Sequence, residues 1–181
     1  MPTRAPRDEP RARPILCLWG FMGAGKTTIG RALARTLGLP FDDLDECIEA
    51  ATGLRVHEAF VAHGEADFRS MEAIELRRLL AFSGPRVVSL GGGTLLDDAL
   101  REEALRRSFV IVLHASRETL FARVRGTNRP LLGDDPEAAI HELSRDRAAA
   151  YGEAHAQVST DGLSIDLVVE AVKESWVGQR S

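Results

Sequence analysis

The sequence predicts an α/β protein, with a parallel sheet of about five strands and helices on both of its faces. Three observations lead there. Strand-length apolar runs alternate with helix-length segments along most of the 181 residues. Two of those runs, Val87-Val88-Ser89-Leu90 and Phe109-Val110-Ile111-Val112-Leu113, are apolar almost throughout, as strands are when helices cover both sides of the sheet. The third is Gly20-Phe21-Met22-Gly23-Ala24-Gly25-Lys26-Thr27. It has the phosphate-loop pattern G-x-x-x-x-G-K-[ST] and lies where that pattern must lie, between a strand and a helix.

In order, the chain reads as strand 14–19, helix 26–37, strand 40–43 and helix 44–51. A short helix near 55–62 and a longer one at 65–81 follow. Next come strand 86–90, helix 97–106, strand 109–113 and helix 116–124. A polar, glycine-containing loop at 125–135 leads to helix 136–151, strand 156–160 and helix 163–176. There is no internal repeat. Residues 1–13 hold four arginines and three prolines but no apolar stretch, which excludes a secretory signal and predicts a disordered tail. Residues 14–181 are expected to form one domain.

Composition narrows the function classes. A net charge of −4 argues against general binding to nucleic acid or anionic membranes, both of which favour a basic face. No apolar run approaches the ~20 residues that span a bilayer. Cys17 and Cys47 are the two cysteines, too few for a disulfide framework, so both are expected reduced and the compartment cytoplasmic. The five histidines show no metal-ligand spacing.

The chemistry is expected at the carboxyl ends of the strands, where parallel α/β sheets place their ligands. In the phosphate loop, Gly23, Ala24, Gly25, Lys26, Thr27 and Thr28 would wrap a nucleoside triphosphate. Backbone N–H groups and the helix N-terminus hold the phosphate oxygens, Lys26 reaches the β- and γ-phosphates, and the Thr27 hydroxyl ligates Mg²⁺. Asp43 and Asp45 are two apart at the end of the second strand, so on extended backbone they point the same way. One could serve a metal-bound water and the other an attacking hydroxyl, or the pair could cap helix 44–51. Gly91, Gly92 and Gly93 after the third strand suggest backbone that meets or passes close to a ligand. Arg69 has Glu65 and Glu72 at ion-pair spacing on its helix, an arrangement of modest value. Arg147 is unremarkable by itself. Arg129, in loop 125–135, could sit on a mobile lid that brings its charge over the phosphates.

Together these stretches resemble the shikimate kinases, in the nucleoside-monophosphate-kinase-like group of P-loop proteins. The resemblance runs from about residue 15 to 176. It is carried by G-F-M-G-A-G-K-T-T-I-G-R at 20–31, F-D-D-L-D-E-C-I-E at 41–49 and G-E-A-D-F-R-S-M-E at 64–72. S-L-G-G-G at 89–93, R-P-L-L at 129–132 and R-A-A-A-Y at 147–151 complete it. The ordered set is far more specific than the phosphate loop alone. It implies a three-layer P-loop kinase fold with sheet order 2-3-1-4-5, substrate-binding helices over about 44–81 and a mobile lid over about 123–136. It implies ATP as co-substrate, Mg²⁺ as cofactor, shikimate as acceptor and a monomer free of nucleic acid and membrane.

By the same resemblance, Asp43 supports the metal through water and Asp45 binds the shikimate hydroxyls, including the one phosphorylated. Arg69 and Arg147 grip the carboxylate, with Gly91, Gly92 and Gly93 lining that pocket. Arg129 comes down onto the phosphates and Arg123 lies near the adenine. Two departures bear on the adenine end. The segment 123–129 is slightly short, which leaves Arg125 as an alternative to Arg123. Thr160-Asp161-Gly162-Leu163 lacks the basic residue that many members place after the last strand.

Overall fold

Five short strands make the sheet: β1 (Ile15–Trp19), β2 (Phe41–Asp43), β3 (Arg86–Ser89), β4 (Phe109–His114) and β5 (Ala156–Ser159). All pair in parallel, in the order β2-β3-β1-β4-β5, which is the expected 2-3-1-4-5. The computed structural model describes residues 15–125 and 135–178. The predicted tail at 1–13 and most of the predicted lid lie outside them.

Side-chain alternation along the strands feeds two separate cores. On one face Leu16, Leu18, Ile111 and Leu113 pack with Leu33 of α1 (Lys26–Leu37) and with Val168, Val172 and Trp176 of α7 (Ile165–Val177). On the other, Ile15, Cys17, Trp19, Val110 and Val112 meet Ile48 of α2 (Leu44–Thr52) and Leu76 and Leu79 of α3 (Val56–Leu80). Leu100 and Ala104 of α4 (Asp98–Arg107) join this second core. Each fully buried aliphatic side chain contributes on the order of 1.5–3 kcal/mol. The buried strands therefore lock both layers to one register.

The remaining helices, α5 (Arg117–Val124) and α6 (Pro136–Gly152), come between β4 and β5 in the chain. Helix starts follow local chemistry. Asp43, Asp97, Ser116, Asp135 and Ser164 each accept a hydrogen bond from a backbone N–H of the first turn they precede, the ordinary N-cap. The first helix differs: it opens on Gly25, at φ 93°, without a side-chain cap. Its first N–H groups are left for an anion. The two helices predicted over 55–62 and 65–81 run together as α3 without a loop, and Gly64 (φ 80°, ψ 170°) breaks the helical geometry between them. That backbone conformation is open to glycine and strained for other residues. No helix among the described residues is long and apolar enough to cross a membrane.

Strand β1 pairs with β3 on one side and β4 on the other; the chain runs from β1 to β2 and β3 on the first side and then crosses from β3 to β4 on the second. The point where the connections diverge lies at its carboxyl end, where such sheets bind ligands.

Candidate active site

A cleft of about 880 Å³ opens at the carboxyl ends of β1, β2 and β3. One end is the phosphate loop with the start of α1. The other is walled by α2, α3, the glycine run after β3, and α6.

The loop is held in shape by its own lysine. Lys26 Nζ donates to the Phe21 carbonyl at 2.9 Å, and the Ala24 N–H donates to the same oxygen at 3.2 Å. The ammonium thus stays over the loop, where a β- or γ-phosphate would lie. Beside it, the Thr27 hydroxyl donates to Asp43 Oδ2 at 2.7 Å. The other Asp43 oxygen, Oδ1, accepts from the Asp45 N–H at 3.1 Å. One Asp43 oxygen therefore caps α2, while the other is tied to the Thr27 hydroxyl. A hydroxyl and a carboxylate side by side are hard oxygen donors of the kind Mg²⁺ takes, and Mg²⁺ commonly keeps several waters and few protein ligands. The pair fits that ion.

Asp45 is half-buried in the first turn of α2 and lines the middle of the cleft. Across from it the glycine run passes under two guanidinium groups. A Cβ on Gly93 would stand 2.7 Å from Arg69 Nη2, and one on Gly92 would stand 3.0 Å from Arg147 Nη1 and 3.1 Å from the Gly20 carbonyl. Close approach, rather than an unusual φ, is what these two positions demand.

The two arginines are held differently. Arg69 pairs with Glu65 at 3.3 Å and with Glu72, whose carboxylate is 2% exposed and also accepts from the Thr94 hydroxyl at 2.6 Å. Burial alone would lower the Arg69 pKa, but Glu72 and Glu65 outweigh it and raise it. So the predicted ion pairs exist, and they aim the guanidinium into the cleft. Arg147 is 5% exposed and lies 5.4 Å from the centre of the Phe21 ring. Among the described residues, no carboxylate stands within ion-pair distance of it. A buried cation without a counter-charge is costly. The arrangement suits an anionic ligand that supplies the missing charge.

At the nucleotide end, Arg123 donates to the Gly23 carbonyl at 3.1 Å, to the Thr160 hydroxyl at 2.9 Å and to the Thr160 carbonyl at 3.0 Å. It ties the phosphate loop to the turn after β5, the turn that lacks a basic residue of its own. Arg125 is an exposed residue at the end of α5. Arg129 lies outside the described residues.

A family model described as Shikimate kinase matches residues 22–176. The chain belongs to the shikimate kinase family. It is 43% identical over 170 residues to a shikimate kinase of Thermus thermophilus, covering 92% of each chain. It is 42% identical over 164 residues to that of Symbiobacterium thermophilum, covering 88% of this chain and 94% of the relative. Among solved structures, the Acinetobacter baumannii shikimate kinase in complex with shikimate superimposes with a TM-score of 0.86 at 34% identity, over 92% of this chain and 94% of that one. A gluconokinase from Sinorhizobium meliloti shares the fold, with a TM-score of 0.65 at 20% identity.

Of the residues predicted for a shikimate kinase site, the fold brings to one cleft the phosphate loop from Gly23 to Thr28, Asp43, Asp45, Arg69, Gly91, Gly92, Gly93, Arg123 and Arg147. Sequence reasoning missed the groups behind them. The Tyr151 hydroxyl donates to the Gly92 carbonyl at 3.0 Å, the Trp19 indole N–H donates to the same oxygen at 3.3 Å, and the two rings meet edge-on. Burial raises the Tyr151 pKa against the opposing effect of Arg147, which keeps the phenol neutral and able to donate. Its spacing of four from Arg147 was the available signal, since residues i and i+4 share a helix face. Phe60 and Phe68 of α3, and Leu163, Ile165 and Val168 after β5, also line the cleft. Nothing in local sequence separates these from ordinary core and surface residues.

Proposed function

We infer that this chain transfers the γ-phosphoryl group of ATP to the 3-hydroxyl of shikimate. The product, shikimate 3-phosphate, leads to chorismate and the aromatic amino acids. The observation that carries the reading is Arg147, a buried guanidinium with no carboxylate partner among the described residues. It sits over Gly92 with Arg69 over the adjacent glycine, in the same cleft as the phosphate loop. A ring acid with hydroxyls fits that space. Its carboxylate meets the two arginines, and its hydroxyls meet Asp45 nearer the phosphates.

The roles follow from position. The N–H groups at the start of α1 and Lys26 bind the triphosphate. Asp45 orients the 3-hydroxyl and takes its proton as the oxygen attacks phosphorus. Arg69 and Arg147 hold the acceptor before and during transfer, which aligns the attacking oxygen. Thr27 and, through water, Asp43 would hold Mg²⁺, which neutralises charge on the β- and γ-phosphates when bound. By the family resemblance Arg129, outside the described residues, is assigned to a lid over about 123–136, where its charge would meet the transferring phosphoryl group and the lid would exclude water. Arg123 shapes the adenine end from the phosphate-loop side. The apolar Leu163 and Ile165 offer that base a surface in place of the absent basic residue.

Initial rates of ADP release with shikimate, gluconate, quinate or no acceptor test this reading. Release should require shikimate and Mg²⁺ and be far slower with the other acids. Equal release without acceptor would refute it in favour of a plain nucleotide hydrolase.

A further inference from the structure

We propose that Arg101, which lines no part of the cleft, is the positioning residue that sets the width of the acceptor pocket. The inference rests on the reading of Arg147 as the acceptor's carboxylate ligand. Arg101 stands on α4, and its side chain is 8% exposed. All of its donor capacity is spent. Nε and Nη2 form a two-pronged pair with Glu153, at 2.9 and 3.0 Å. Nη2 also donates to Asp98 at 2.7 Å, and Nη1 donates to the Leu95 and Leu96 carbonyls at 3.1 and 3.3 Å. A guanidinium has five N–H donors in a fixed planar fork, and here five acceptors meet it.

The acceptors come from two walls of the pocket. Leu95 and Leu96 end the loop that begins with the glycine run, and the Thr94 and Leu96 N–H groups bond back to the Gly91 and Gly93 carbonyls. Glu153 is the residue that ends α6, the helix carrying Arg147 and Tyr151. Along the cleft these walls touch through Tyr151 and the Gly92 carbonyl, with Arg147 Nη1 only 3.0 Å from where a Cβ on Gly92 would be. At the back they are joined by Arg101. The spacing at the front has no slack, so a rigid fork at the back suits the task in a way a flexible ammonium does not. Asp98, 87% exposed, adds little; Glu153 and the two carbonyls make the clamp.

The test compares Arg101→Lys, Glu153→Gln and Arg147→Ala with the parent chain. Each is assayed for ADP release over a shikimate series at saturating ATP, over an ATP series, and for thermal unfolding. Arg101→Lys should raise the shikimate KM by about 10-fold, within the ~10² that a displacement of about 1 Å can cost, and leave the ATP KM within about two-fold. Glu153→Gln should shift it the same way and less, because one prong of the pair survives as a neutral hydrogen bond. Glu153 is half exposed, so this variant reports even if Arg101→Lys does not fold. A fall in unfolding temperature with both KM values unchanged in the clamp variants overturns the proposal. If Arg147→Ala still raises the shikimate KM in that case, the reading of the acceptor site stands alone. If Arg147→Ala also leaves it unchanged, that reading falls too, and the proposal with it.

Discussion

Replacing Gly93 with alanine adds one methyl group at a point where the cleft has no room for it. The new Cβ would lie 2.7 Å from Arg69 Nη2 and 2.8 Å from Cζ and Nη1, where ordinary contact begins at 3.4 Å. Restoring that distance from 2.7 to 3.4 Å takes a shift of 0.7 Å. Arg69 must make it, because its partner Glu72 is 2% exposed and pinned by Thr94, while the arginine side chain is 29% exposed and can swing outward. A guanidinium displaced by that much loses its line to the acceptor's carboxylate. The shikimate KM should rise by about 10-fold, worth about 1.4 kcal/mol, since the contact is made before and during transfer alike. Weakening a charge-assisted bond to Glu72 should cost about 1.5–3 kcal/mol of stability at most. Initial rates over shikimate at saturating ATP measure the first effect, and thermal unfolding measures the second. A shikimate KM within two-fold of the parent, in a folded variant, would refute the placement of Arg69 as an acceptor ligand.

Three further outcomes are expected. Asp45→Asn keeps the side chain's shape but removes its charge, so turnover should fall by at least ~10² while ATP affinity, read by equilibrium dialysis, stays within about two-fold; near-normal turnover would reduce Asp45 to a helix-start residue. Arg129→Ala should act mainly on kcat, by up to the ~10³ of arginine fingers, and a rise confined to the shikimate KM would contradict its assignment to the phosphates. Burial in the second core pushes the Cys17 thiol from 9.0 up to about 12, against a small opposing contribution from a hydrogen bond with Ser108. The raised folded value means that stability is fully present below pH 9 and falls as pH rises towards 12, by up to about 1.4 kcal/mol per pH unit. Other groups with raised folded values, Tyr151 and Cys47, titrate in the same range. Urea titrations should therefore give a steeper loss between pH 9 and 12 in the parent than in Cys17→Ala, and equal slopes would refute it.

Much of this architecture is legible one segment at a time. Ile15, Cys17 and Trp19 face one core while Leu16 and Leu18 face the other, and a continuous apolar run is what a strand buried on both faces requires. Gly25 and Lys26 announce an uncapped helix start shaped for phosphate, and Asp43 caps α2 as its residue type predicts. These features depend on neighbours within four or five positions, so the sequence carries them directly. Arg69 and Arg147 are another matter. Local spacing made the first an ion-pair residue and the second a surface charge, and only the resemblance to a family raised them to ligands. Their meaning depends on α3, α6 and the loop after β3 converging over Gly92 and Gly93, an event of packing between distant parts of the chain. Arg101 shows the same limit more sharply. Its partner Glu153 is 52 positions away, and nothing near either residue marks the pair. Periodicity encodes which face is buried, whereas the identity of the partner across a buried gap is decided only when the helices and strands have docked.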